Sequence, residues 1–278
     1  MIYRIKRGDT LSKIARQHDI PLNQLLALNP HLKANPNLIS VDDKIIVAAP
    51  IVEPEPKSTP PVAPSVVANT ADDFNVRVGQ LTFDAEGMEI EGPYFSRTPH
   101  VPGGWSGVTI GRGYDMKERS TDEIIADLTA SGVPNDIAKK FGECSGLMGN
   151  NAEEFLIEKN YEELLISPAQ QKRLFIIAYQ ELEGDVKRIC TKADVEAKYG
   201  ETHWDTLNQL IKDVVVDLRY RGDYTPATRQ RVQPLLIGDD NGDLLGMSQL
   251  MANKRYWVRE RRVPLDRYKR RMNYLANV

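Results

Sequence analysis

The chain has 278 residues, 41% of them hydrophobic and 27% charged, with a formal net charge of -3. That is the composition of a globular protein with room for one sizeable core and a small module, and it excludes a collagen-like, low-complexity or strongly polyionic chain. No stretch approaches the roughly 18 consecutive apolar residues of a membrane span, and the histidines (His18, His31, His100, His203) and cysteines (Cys144, Cys190) are too scattered for a metal site or a disulfide framework.

The start, Met1 to Gly8, has no apolar core of a leader and no cleavage site. Ile2-Tyr3-Arg4-Ile5 alternates as a short strand, Gly8-Asp9 makes a turn, and Asp9 or Thr10 caps a helix through Ile14-Ala15. Pro21 opens a second helix that buries Leu25, Leu26 and Leu28 and stops at Asn29-Pro30. Ile39 and Lys44-Ile45-Ile46-Val47 return as a strand, completing β-α-α-β. The residues Tyr3, Gly8-Asp9-Thr10-Leu11, Ile14-Ala15, Leu26, Asn29-Pro30 and Ile39 resemble the LysM family, over nearly all of residues 1–49. The resemblance implies binding of N-acetylglucosamine-containing glycans such as peptidoglycan and chitin. The implied groove lies between Gly8, Asp9, Thr10 and Leu11 on one side and Asn29, Pro30 and the chain to Ile39 on the other. Val41-Asp42-Asp43 stands where that family usually carries a Gly-Gln turn.

Residues 50–73 are rich in Pro, Val, Ala, Ser and Glu, without helical or alternating period, and read as a semi-extended linker. At about 3.1 Å per residue such a segment reaches at most roughly 60 Å, a tether that raises local substrate concentration.

From residue 74 to the end the pattern is that of one larger domain. Leu81 and Ala85 mark a short helix whose last turn carries Glu86 and is capped by Gly87. A Gly/Pro-rich crossing, Pro102-Gly103-Gly104, leads to Val108-Thr109-Ile110-Gly111-Arg112-Gly113-Tyr114-Asp115, an alternating run whose glycines bare the backbone on one face. A rigid carboxyl, a hydroxyl and a second carboxylate across a cleft are what hydrolysis of a glycosidic bond needs. Glu86-Gly87, Thr109-Ile110-Gly111-x-Gly113 and the following acid resemble the catalytic core of phage T4-type lysozymes. The intervals from Glu86 to Thr109 and to Asp115 are similar to those of the pesticin-like muramidases. The resemblance implies Glu86 as general acid, with Thr109 and Asp115 placing the attacking water. Glu91-Gly92 is a second Glu-Gly pair, set behind Glu86 because it is followed by Pro93 and reads as turn. Tyr94, His100, Trp105 and Arg112 are candidate sugar contacts. Arg112 is also a candidate partner of Glu86 or Asp115, and Trp105 a candidate cover for the core.

The remainder is helical. Thr121-Asp122-Glu123 caps a helix through Leu128, Ala152 to Leu165 forms another, and Ser167-Pro168-Ala169-Gln170 is a capping box opening a long central helix. Trp204 to Tyr220 and Thr225-Pro226 to Ile237 follow. Asp239-Asp240-Asn241-Gly242-Asp243 lacks the spacing and closing glutamate of a calcium loop and reads as a turn with an N-cap. Lys254 to Arg271 holds nine basic residues against Glu260 and Asp266. That excess suits either an anionic polymer or pairing with the acidic body of the domain, and its Asn253-Lys254-Arg255-Tyr256-Trp257 segment also resembles the C-terminal helices of phage-type lysozymes.

The expected fold class is therefore α+β: a small βααβ module, a linker, and a mainly α-helical lysozyme-like domain with a β-hairpin wing. The expected function is a peptidoglycan hydrolase cutting the β-1,4 bond between N-acetylmuramic acid and N-acetylglucosamine, without metal or cofactor. An inactive wall-binding scaffold and a lytic transglycosylase are the alternatives. Peptidoglycan is the expected partner of a monomer, with a cognate inhibitor or a secretion-machine spike protein as further partners, and neither nucleic acid nor membrane is expected. The protein is expected to be made without a signal peptide and to reach the wall as a phage endolysin through a holin lesion, or as an effector through a type VI-like injection machine.

Overall fold

The alternating apolar pattern at the N-terminus and the helical periods after residue 74 fall in different units. In the computed structural model, residues 2–6, 9–18, 25–26, 28–29, 32, 43–47, 74–90, 95–237 and 241–276 are described, and chain contacts divide the molecule into two compact units, Met1–Val66 and Val67–Val278. Gly8, Pro30, Ile39, the linker over 50–73, Glu91, Tyr94, Asp239 and Asp240 lie outside the described residues.

In the first unit, β1 (Ile2–Arg4) pairs antiparallel with β2 (Lys44–Ile46), Tyr3 opposite Ile45, and the pairing is extended by Ile5 N–H donating to the Asp43 carbonyl. Helix α1 (Leu11–Gln17) turns Leu11, Ile14 and Ala15 inward, the i, i+3, i+4 stripe of an amphipathic helix. Thr10 is its cap, its hydroxyl accepting from Lys13 N at 3.2 Å. Asp9 instead closes the preceding turn: its carboxylate accepts from Lys6 N at 2.8 Å and from the Tyr3 hydroxyl at 2.9 Å. The Lys6 amide above all holds that carboxyl below its ordinary pKa.

Two residues expected at the sugar groove serve the core instead. Leu11 is packed with Ile5, Ile14, Leu25, Leu26 and Ile45. Asn29 is 2% exposed and acts as a clasp. Its amide donates to the carbonyls of Leu25 (2.7 Å) and Ile46 (2.8 Å), and its Oδ1 accepts from Ile46 N at 2.8 Å, tying a helical segment to β2. Asn29→Ala strands these groups and is expected to destabilise the unit by about 1–3 kcal/mol. The check is amide exchange at Ile46, which should accelerate sharply; unchanged protection contradicts the clasp.

The second unit is helical around one two-stranded wing. Helix α2 (Gln80–Glu86) buries Leu81, Thr82 and Phe83. Strands β3 (Thr109–Ile110) and β4 (Tyr114–Asp115) pair antiparallel, Thr109 opposite Asp115 and Ile110 opposite Tyr114. Then come α3 (Thr121–Ala130), α4 (Asn135–Gly142), α5 (Gly149–Lys159), the long α6 (Pro168–Cys190), α7 (Ala193–Tyr199), α8 (Gln209–Tyr220), α9 (Pro226–Val232), α10 (Leu244–Ala252), a π-helical turn (Arg255–Glu260) and α11 (Leu265–Tyr274). The chain is thus mainly helical with small two-stranded sheets. No helix among the described residues is long and apolar enough to cross a membrane.

Capping chemistry sets most boundaries. Ser120, Ser167 and Thr225 each form a reciprocal capping box, with Glu123, Gln170 and Thr228. The helix expected over 152–165 ends at Lys159, because Asn160 takes a left-handed conformation (φ 57°) and a separate 3-10 turn, Tyr161–Glu163, follows. The helix expected from Trp204 starts at Gln209, where the Asn208 side chain accepts from Leu210 N. Trp204 and Leu207 are buried, but in turns.

Two hydrophobic clusters fill this unit. One holds the wing (Val108, Ile110, Tyr114, Met116) with α3, α4 and α5; the other holds Leu81 and Phe83 of α2 with α8, α10, Trp257 and Tyr268. Helix α6 belongs to both, giving Leu174 and Ala178 to the first and Phe175, Tyr179 and Val186 to the second. Helix α2 and the hairpin therefore pack into different clusters that share α6.

Candidate active site

Helix α2 has only seven residues, too few to hold its end rigid by its own hydrogen bonds. Two buried aspartates one turn apart on α8 hold it instead. Asp213 accepts from Gly79 N at the start of α2 (3.2 Å) and from the Tyr179 hydroxyl (2.7 Å). Asp217, with a side chain 0% exposed, accepts from the Thr82 hydroxyl at 3.0 Å. It also meets Arg267 Nη2 at 2.5 Å and Arg271 Nε at 2.6 Å, both from α11. Arg271 continues to Asp223 (2.7 Å), and Arg267 Nη1 reaches Glu86 Oε1 at 2.7 Å. Part of the basic C-terminal segment is thus spent inside the domain, supporting the end of α2. Burial alone would lower the Arg267 pKa, but the carboxylates of Asp217 and Glu86 outweigh it and raise it.

Thr109 and Asp115, directly opposite in the hairpin, project on the same face. Asp115 is aimed by backbone donors, Gly107 N to Oδ2 (3.2 Å) and Lys117 N to Oδ1 (2.9 Å). Thr109 is 6% exposed, with its hydroxyl donating to the Gly107 carbonyl at 3.3 Å. Asp115 lines a cavity of about 390 Å³ with Gly113, Arg119, Glu181, Asp185, Arg219 and Tyr220.

Tyr220, the last residue of α8, joins the two halves. Its hydroxyl donates to the Arg112 carbonyl in the hairpin turn and lies where a side chain at Gly113 (φ 85°) would have to go. Desolvation first, and the nearby Glu86 carboxylate second, push its pKa far above that of an ordinary phenol, so it stays a hydroxyl. Asp115 and Tyr220 thus line one cavity, and the Glu86 carboxylate lies near enough to Tyr220 to act on its phenol.

Arg112 is corrected as a sugar contact, and its partner is neither Glu86 nor Asp115. It is 5% exposed, its guanidinium lies 3.8 Å from the Phe83 ring centroid, and it donates to the Phe83 carbonyl and, at 2.9 Å, to Glu89. Trp105 does not cover the core: it is 81% exposed on the loop before Gly107, and its carbonyl accepts from Lys117 Nζ. His100 is half-buried, bridged antiparallel to Thr109, and burial lowers its pKa. Asp9 and Thr10 remain partly exposed at their turn.

Sequence reading missed Asp213, Asp217, Tyr220, Arg267 and Glu89. The aspartates had a signal, two acids at i, i+4 flanking Val214-Val215-Val216 in an apolar run, matched by Arg267 and Arg271 at the same spacing. Among the described residues no group of His, Cys, Asp or Glu side chains could hold a metal ion. Asp243 is the cap of α10, accepting from Gly246 N at 2.8 Å. Cys144 and Cys190 are buried free thiols, the first pushed up to about 12 by burial.

Two family models match the chain. The LysM domain matches residues 3–48, and a domain of unknown function, DUF8812, matches residues 79–272.

Proposed function

We propose, for a chain that belongs to the DUF8812 family of unknown function and carries an N-terminal LysM domain, that the LysM domain holds it on peptidoglycan while the helical domain hydrolyses the glycan strand between N-acetylmuramic acid and N-acetylglucosamine. The observation that carries the reading is the pairing of Thr109 with Asp115 across the hairpin, with Asp115 on an open cavity beside Tyr220, whose phenol also feels the Glu86 carboxylate.

In this reading Glu86 donates a proton to the bridging oxygen as the bond from the anomeric carbon to that oxygen breaks. Asp115, fixed by the Gly107 and Lys117 amides, accepts a proton from the water that bonds to the anomeric carbon, with the Thr109 oxygen placing that water. The products are a new reducing end and a free hydroxyl on the departing sugar. Arg267, already within 2.7 Å of Glu86, steadies the carboxylate that proton transfer leaves behind. Solvent exchange returns the proton from Asp115 to Glu86.

Purified cell walls test both parts at once. The full chain should clear them, and a chain lacking residues 1–49 should clear them at least about tenfold more slowly at low enzyme concentration, from loss of local concentration. Both should cut soluble peptidoglycan fragments equally. Failure to cut either substrate contradicts the catalytic part; equal rates on walls contradict the tether.

A further inference from the structure

We propose that Arg112 and Glu89 form a positioning pair that fixes the Glu86 end of α2 against the Thr109–Asp115 hairpin. The inference rests on the hydrolase reading above.

Arg112 sits in the turn between β3 and β4, yet its side chain crosses to α2 and takes up the Phe83 carbonyl, one of those a helix C-terminus leaves without a partner. Gly87 makes this crossing feasible. A methyl group at that position would overlap the Arg112 guanidinium, although the Gly87 backbone (φ -105°, ψ 139°) is extended and open to any residue. The absent side chain after Glu86 is therefore explained by room for arginine and not by helix-cap geometry. Glu89 then holds Arg112 from the far side. Its Oε1 accepts from Arg112 Nη2 (2.9 Å) and from Gln171 Nε2 on α6 (2.7 Å), and its Oε2 accepts from Arg97 Nε (3.2 Å).

One pair thus links α2, the hairpin, α6 and, through the Arg112 carbonyl and Tyr220, α8. The arrangement is costly for stability alone. Arg112 Nε and the Oε1 of Gln171, itself 0% exposed, are buried with no hydrogen-bond partner. A bare stability role would be served as well by an apolar contact. What an apolar contact lacks is direction, and direction is what sets an acid relative to a water-holding carboxylate.

Gly87→Ala evicts the guanidinium while leaving Glu86, Glu89 and the backbone in place; Glu89→Gln weakens the same link from the other end. In the full chain each should lower kcat on soluble peptidoglycan fragments by about 10–100-fold with KM within about threefold, the cost of a misplacement near 1 Å. The double variant should be little worse than either single, and Glu89→Asp should recover part of the loss. Wild-type kcat in either variant overturns the proposal, as does a rise in KM alone, which would make the pair a substrate contact. A kcat loss wholly accounted for by the unfolded fraction in a melting curve also overturns it. Disappearance of the alkaline limb of the pH–rate profile in Glu89→Gln would make Glu89 itself the proton donor and overturn it too. Failure of the wild-type chain to release reducing ends would instead sink the hydrolase reading, and full activity of Glu86→Gln would remove Glu86 from it, both independently of these results.

Discussion

Glu86→Gln is expected to stop the release of reducing ends from purified walls, lowering the rate by about 10²–10⁴-fold, the usual contribution of a positioned general acid. The substitution keeps the shape of the side chain and an oxygen for Arg267, and removes only the proton that can be given to the leaving oxygen. The fold should survive it. Arg267 retains Asp217 on Nε (3.1 Å) and Nη2 (2.5 Å), so losing charge at Glu86 does not leave a buried guanidinium alone. The melting temperature should therefore stay within a few degrees while activity is lost, a separation that a structural role for Glu86 would not produce. Turbidity loss and reducing-sugar release, followed beside a thermal melt, check both halves. Equal clearing by variant and wild type removes Glu86 from the chemistry.

Asp217→Asn should do the opposite, damaging stability first. The Asp217 side chain is wholly buried between Arg267, Arg271 and Thr82, and removing one partner of a buried charge cluster typically costs about 3–5 kcal/mol. For a domain of this size each kcal/mol shifts melting by about 2–4 °C, so a fall of roughly 6–20 °C is expected. Arg271 keeps Asp223, and Arg267 keeps Glu86, which holds the loss toward the lower end. Activity measured well below the new melting point should fall too, because Thr82 loses its anchor and the end of α2 is freed. A melting temperature within 2 °C of wild type, roughly 1 kcal/mol or less, contradicts the claim that this aspartate holds α2 on α8.

What could be read without coordinates was what depends on near neighbours in the chain. The Asp9-Thr10 turn, the Ser167 capping box and the Thr225-Pro226 start obey local hydrogen-bonding rules, and each is present. The hairpin was visible in the glycines around Ile110 and Arg112, and its register puts Thr109 opposite Asp115. The supports of α2 were not visible, because they join residues far apart in sequence: Thr82 with Asp217, Glu86 with Arg267, and Phe83 with Arg112. The same blindness misplaced Asn29 and Arg112. Both are polar residues next to turns, a pattern that suits ligand contact, and both were drawn inward by unpaired backbone carbonyls that only the folded chain reveals. Glu89 carries no local pattern of its own, because its partners Arg97, Arg112 and Gln171 lie elsewhere in the chain.

The most direct test of the account is digestion of purified peptidoglycan in heavy-oxygen water, followed by mass spectrometry of the released fragments. Water attack at the anomeric carbon predicts muramic acid reducing ends carrying one heavy oxygen, absent with Glu86→Gln. Anhydro-muramic ends without the label, or free stem peptides from uncut glycan, would contradict it.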